Sequence, residues 1–339
     1  MTTEPALSAW KTLYELAGRY RELAPWEWVD DTDLLGVRDP ETGETGYCSV
    51  IGALGEARGL IIYPGAEGLA SFFNILEADD PGDFDLSVDQ QALSLILGSR
   101  DETRPQERAV IKEAGLAFRG KDAWPIFRSH TPGYHPWFLT GEEVRFFTVV
   151  LEQALAILQE LRQDLSRWEP PGDDYVPVRS RTGKGWETRW EPLPPPPVIR
   201  LPLITLQESY LKELRETCRR VKTTWETGFF YSPAVVQEKG KDKRPYYPVV
   251  TLWVDRDSGI ILSFEMSRRG EWQKVVEGLL SAVGATKTLP AGIAASQEEV
   301  LALLRPVADH LEIPLKMSKT RSFNTAKRHL FEEMWRRCT

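Results

Sequence analysis

Asp255, Asp257 and Glu265 are the side chains with the best claim to chemistry in this 339-residue chain. They lie in and just beyond Val254-Asp-Arg-Asp-Ser-Gly259, between two apolar runs, where carboxylates could share metal ions. Two-metal hydrolysis holds its ions about 3.5–4 Å apart, so it needs acids converging from a first strand, a later strand and a helix. The later strand, within Ala291-Gly-Ile-Ala-Ala-Ser296, carries no acid before Glu298. Asp309 and Glu312 could answer from the helix that follows, but the set stays incomplete. The competing reading makes Asp255 and Asp257 turn residues that bond the backbone ahead of Gly259. The same acids occupy the first and third positions of a calcium loop. Gly259 and Met266 then stand where that loop needs a further acid and a bidentate glutamate, so calcium is not expected.

Other groupings are thinner. His130 and His135 flank Thr131-Pro-Gly-Tyr134, yet zinc takes three or four ligands and Cys48 is remote in sequence. No metal and no cofactor are expected. Leu60-Ile-Ile-Tyr63 followed by Pro64-Gly-Ala-Glu-Gly68 has the strand–loop–helix outline of a phosphate cradle, but Glu67 would repel phosphate. Among the 12 tryptophans, Trp26, Trp28, Trp124 and Trp137 are candidates for a ligand pocket, with core packing as the alternative. Lys239, Lys241, Lys243 and Arg244 precede Tyr246 and Tyr247. Cations fix phosphates and tyrosines stack bases, so this segment is the candidate nucleic-acid face; a solvated loop is the alternative.

Charge layout bears on partners. Residues 1–100 hold 6 Lys and Arg against 18 Asp and Glu, while residues 201–339 hold 22 against 17. An acidic front and a mildly basic back suit two domains with different partners. A net charge of -8 argues against broad coating of nucleic acid. No apolar run approaches the roughly 18 residues that span a bilayer, and the first residues show no secretory pattern. Three well-separated cysteines favour reduced thiols, hence a cytoplasmic location.

The elements that must position these residues fall into two groups. Residues 1–168 read as an acidic α+β domain. Leu7, Trp10, Leu13, Tyr14, Ala17 and Tyr20 share one helix face, strands follow at 34–38, 46–51, 60–63 and 92–97, and 105–115 suits a short helix. Thr140-Gly-Glu-Glu143 has the form of a capping box before a long apolar stripe that runs down to Trp168. Residues 169–199 contain eight of the 24 prolines and read as a stiff Pro-rich linker. Residues 200–339 begin with a helix at 206–221 and continue as ββαβαβα, a mixed sheet. That is the order of a ribonuclease-H-like fold lacking one early strand, with a ferredoxin-like sheet as the alternative.

Two stretches carry a resemblance. Trp26-Glu-Trp28 with Gly46-Tyr-Cys-Ser-Val50 and Gly65-Ala-Glu-Gly-Leu69 resembles the front half of an uncharacterised bacterial two-domain family. Tyr247-Pro-Val-Val250 with Val254-Asp-Arg-Asp-Ser-Gly-Ile-Ile261 is similar to its back half. The resemblance implies a pair of domains of unknown function joined by a linker, and no reaction or ligand. The expectation is therefore a non-catalytic interaction protein with an unknown protein partner and a degenerate ribonuclease-H-like domain. The alternatives are a metal-dependent hydrolase or nuclease using Asp255, a small-ligand module lined by the tryptophans, and nucleic acid as a partner.

Overall fold

The computed structural model describes residues 5–338 except 54, 56, 81, 165–168, 199, 200, 203, 241 and 242. The last turn of the long expected helix, 165–168, lies outside those residues. The chain divides into two units: Met1–Thr131 with Pro136–Pro197, and Pro132–His135 with Val198–Thr339.

The first unit runs α1 (Leu7–Leu23), β1 (Leu34–Arg38), β2 (Thr45–Ile51), β3 (Arg58–Pro64), α2 (Gly65–Leu76), α3 (Phe84–Val88) and β4 (Ala92–Gly98). It continues with α4 (Pro105–Glu113), β5 (Trp124–His130), α5 (Gly141–Gln163), β6 (Tyr175–Thr182) and β7 (Gly185–Pro192). One sheet results, in the order β5-β4-β3-β2-β1-β6-β7. Among the described residues, only the β1–β6 pair of this sheet is parallel. The 3.6-residue period of α1 buries Leu13, Tyr14, Ala17 and Tyr20 against the sheet face that carries Cys48, Val50, Leu60, Ile62 and Leu95. The α5 stripe of Val144, Phe147, Leu151, Leu155 and Leu158 joins the same core. Its capping box is present: Thr140 Oγ1 accepts the Glu143 N–H, and Glu143 accepts the Thr140 N–H at 2.7 Å. The other face packs Tyr47, Tyr63, Val176 and Val178 with Leu69 and Phe72 of α2.

The 169–199 segment differs from the expected spacer. It carries the β6–β7 hairpin, whose first strand extends the sheet through Gly36↔Val178 and Val37↔Arg179. Val176 and Val178 alternate inward and are buried, and Arg179 donates to Gln153 and Glu160 of α5. Proline content hid a period-2 pattern. Most of the prolines bracket the hairpin, and only Pro177 lies within its strands before the terminal Pro192.

The β1–β2 turn is pinned to α5 by a buried carboxylate. Asp39 accepts two N–H donors of Arg145, at 3.0 and 2.7 Å, and the Thr42 hydroxyl at 2.7 Å. These donors, Arg145 first, outweigh burial and hold the Asp39 carboxyl at about 2 rather than near 3.8. A folded pKa below the unfolded one means that the stabilisation is complete above about pH 4 and is lost as pH falls through about 2. Asp39→Asn should therefore lower the thermal midpoint at pH 7 and flatten its fall between pH 4 and 2. Parallel melts of both proteins across that range check this, and equal acid slopes would refute it.

The second unit runs α6 (Glu208–Thr217), β8 (Arg219–Arg220), β9 (Thr224–Tyr231), β10 (Val249–Asp255), β11 (Ile261–Ser267), α7 (Gln273–Thr286) and β12 (Thr288–Leu289). β13 (Gly292–Ala295), α8 (Glu298–Leu311), β14 (Leu315–Met317) and α9 (Arg321–Cys338) complete it. The main sheet has the order β11-β10-β9-β13-β14. Its first three strands are antiparallel, and β13 lies parallel to both β9 and β14. Three meandering strands followed by two parallel strands through helical crossovers is the ribonuclease-H-like order; a ferredoxin-like sheet would lack the parallel pairs. The early strand missing from the sequence reading is β9. The helix expected at 206–221 stops at Thr217, because Arg219 and Arg220 enter a short parallel ladder with Thr288 and Leu289. One face of the sheet packs Trp225 and Trp253 against α7 and α8, and the other packs Phe230, Val250, Leu252 and Val254 against α9.

Candidate functional site

The centre of the ribonuclease-H-like sheet is where carboxylates would converge, and its acid is Glu226 on β9. It is 1% exposed. One carboxylate oxygen accepts Arg256 Nε–H at 2.8 Å; the other accepts the N–H groups of Ser322 and Phe323, at 2.8 and 3.0 Å, in the first turn of α9. Burial of a carboxylate requires such donors, and a helix N-terminus supplies them with its dipole aligned. The bound side chain does the work of an N-cap, and the hydroxyl of the preceding Thr320 is buried with no partner among the described residues. Where β13 ends, Gln297 stands in place of an acid. Its amide clamps one main-chain unit of β9, accepting from the Phe229 N–H at 2.9 Å and donating to the Phe229 carbonyl at 3.2 Å.

Asp255 ends β10 and closes the β10–β11 turn. Its Oδ1 accepts the N–H groups of Asp257 and Ser258 and the Ser258 hydroxyl, while Gly259, at φ 71°, donates to the Asp255 carbonyl. Burial works against its charge, but the Ser258 N–H and the Thr223 and Ser258 hydroxyls prevail and hold its carboxyl below the ordinary value. Asp257 is exposed in that turn. Glu265 lies opposite Thr251 on the edge strand, Glu298 and Asp309 are exposed on α8, and Glu312 pairs with Arg215 and Arg220. Among the described residues, no three His, Cys, Asp or Glu side chains are grouped so as to hold a metal ion.

The other candidates are scattered or engaged. Trp26 packs on Tyr20 beneath Arg58, Trp124 on Phe118, and Trp137 on Phe138 beneath Arg104. Trp28 lies against the first core, its buried indole N–H without an acceptor among the described residues. None of the four is in ring contact with another. In the cationic segment Lys239 is exposed and Lys241 lies outside the described residues. Lys243 pairs with Glu238 at 2.6 Å, and Arg244 donates to the His135 carbonyl at 2.9 Å. Tyr246 lies under the Arg268 guanidinium, and Tyr247 stacks on His135. Glu226, Arg256 and Gln297 escaped the sequence reading. The signal that could have found Glu226 is a charged residue inside Trp225-Glu-Thr-Gly-Phe-Phe-Tyr231, a run otherwise fit for a strand.

Two domain models match this arrangement. Residues 10–179 match a domain of unknown function, DUF7309. The chain belongs to the DUF7309 family. Residues 210–331 of this DUF7309 protein match a second domain of unknown function, DUF6930. The pair agrees with the two domains implied by the motifs at 26–69 and 247–261. No curated protein matches the chain. Among solved structures it is similar to the HTLV-2 integrase catalytic core domain in complex with magnesium (dimeric form), at 15% identity over 33% of this chain and 70% of that one. The TM-score is 0.25, too low to carry an argument. No helix among the described residues is long and apolar enough to cross a membrane.

Proposed function

We propose that this DUF7309 protein is a non-catalytic binding protein with a protein partner, its second unit a ribonuclease-H-like scaffold that has lost its carboxylate set. The observation that carries this reading is Glu226. The acid on the first strand accepts from Arg256 and from the α9 backbone, so its oxygens serve the fold and are turned away from any substrate. Gln297, where a second acid would be needed, is likewise spent on the β9 backbone. A cytoplasmic location fits the buried thiols of Cys48 and Cys218. Lys243 and Arg244, engaged by Glu238 and the His135 carbonyl, favour a protein over nucleic acid.

The test is a hydrolysis assay of the full chain on single- and double-stranded nucleic acid with magnesium and manganese. No metal-dependent turnover is expected, and about 5 mM of either ion should move the thermal midpoint by less than about 1 °C, since an ion without ligands adds no linkage. Metal-dependent turnover that Asp255→Ala abolishes would overturn the proposal.

A further inference from the structure

The β11 edge of the second unit is uncovered in a way its neighbours are not. On the face that α9 covers over β9 and β10, the β11 residues opposite Val250, Leu252 and Val254 are Met266, Phe264 and Ile261. They are 46, 43 and 40% exposed, and Ile260 beside them is 61% exposed. Among the described residues, the outer edge of β11 pairs with no strand. Natural edges are blunted by lysine, proline or inward charges. Here 261–267 contains neither lysine nor proline, and its one charge, Glu265, lies on the opposite face near Lys274. A bulge at the start of the strand skips Leu262 and leaves 263–267 regular.

The charges flanking this edge select its occupant. The turn before β11 presents exposed Asp257, and the segment after it is basic: half-buried Arg268 pairs with Glu238, and exposed Arg269 donates its Nε–H to the Tyr231 hydroxyl at 2.9 Å. Two identical strands running antiparallel bring the acidic end of each to the basic end of the other, whereas a parallel pair would oppose like charges. We propose that the chain self-associates through β11, with a second copy as the occupant, in a two-fold antiparallel pair that joins the two sheets and covers Phe264 and Met266. The apolar patch is small against the roughly 800 Å² each partner gives to a standard interface, so the dimer is weak, with a Kd of about 10–100 µM.

Sedimentation of the full chain from about 1 to 300 µM reads this directly and should show a monomer–dimer transition within that range. Phe264→Asp with Met266→Asp should weaken Kd at least about tenfold, and Asp257→Lys a few-fold. Phe264 and Met266 are less than half exposed, so the double variant should melt somewhat lower than the parent yet remain folded, which a thermal melt checks. Hydrogen exchange on the unaltered protein is independent of any variant: the 263–267 amides should be protected at high concentration and lose that protection on dilution. A monomer throughout the range would overturn the proposal. So would a dimer that Phe264→Asp with Met266→Asp leaves intact, or β11 exchange that does not vary with concentration.

Discussion

Replacing Gly59 by alanine is expected to cost the first unit about 3–5 kcal/mol, or to prevent it from folding. A Cβ at this position of β3 would lie 2.0 Å from the Leu95 carbonyl oxygen and 3.0 Å from its carbon. Both are main chain of the neighbouring strand, so no side chain can swing aside, and β3 and β4 would have to separate. The Gly59 carbonyl also accepts the buried Tyr20 hydroxyl at 2.7 Å, which ties α1 to the same spot. Displacing the strand therefore strains two layers at once. Gly18→Ala is the control: it lies in mid-α1 with nothing within 4 Å of the added carbon. Alanine there should stabilise by about 0.5–1 kcal/mol through helix propensity. Denaturant unfolding of both variants gives the comparison, and a Gly59→Ala midpoint within error of the parent would contradict the close approach.

The second large effect is expected at Glu226. Truncation to alanine leaves Arg256 and two α9 N–H groups without their acceptor in a site where Glu226 itself is inaccessible. Breaking a buried pair costs about 3–5 kcal/mol. Arg256 keeps a little over a third of its side chain in water, so the lower half of that range applies. Glu226→Gln should recover part of the loss by retaining one acceptor oxygen. Hydrogen exchange localises the effect: amides early in α9 should exchange at least about tenfold faster in Glu226→Ala, while those of β3 and β4 are unchanged. Unchanged α9 exchange would mean that the carboxylate does not anchor the helix.

Legibility followed chemistry. The helix of Leu13, Tyr14, Ala17 and Tyr20 and the capping box at Thr140 were readable because one periodicity and one reciprocal bond fix them locally. Strands β10, β11 and β13 were readable as apolar runs. Strand β9 was not, because Glu226, Thr227 and Gly228 are polar or small residues buried in mid-strand, and what satisfies them is distant: α9 for Glu226 and the Leu252 carbonyl for Thr227. Gly228 is required by Gln297 and Phe323, whose atoms lie 2.9 Å from where its Cβ would be. The site was missed with its strand. The turn at Asp255 was anticipated as one of two readings, since an Asp that bonds its own following amides leaves a local signature.

Strand β1 has two neighbours of very different origin. β2 follows it after a six-residue turn, but β6 arrives only after more than 130 further residues have been made. While the ribosome is still adding that stretch, β2 to β5 can already be assembled, and β1 stands as a bare border of the growing sheet. At about 5–20 residues per second this lasts several seconds at least. A gene cut after the long α5 helix would make the transient permanent, and its product would carry an unfilled slot beside β1. The DUF7309 match itself stops at residue 179, partway along the strand that fills the slot.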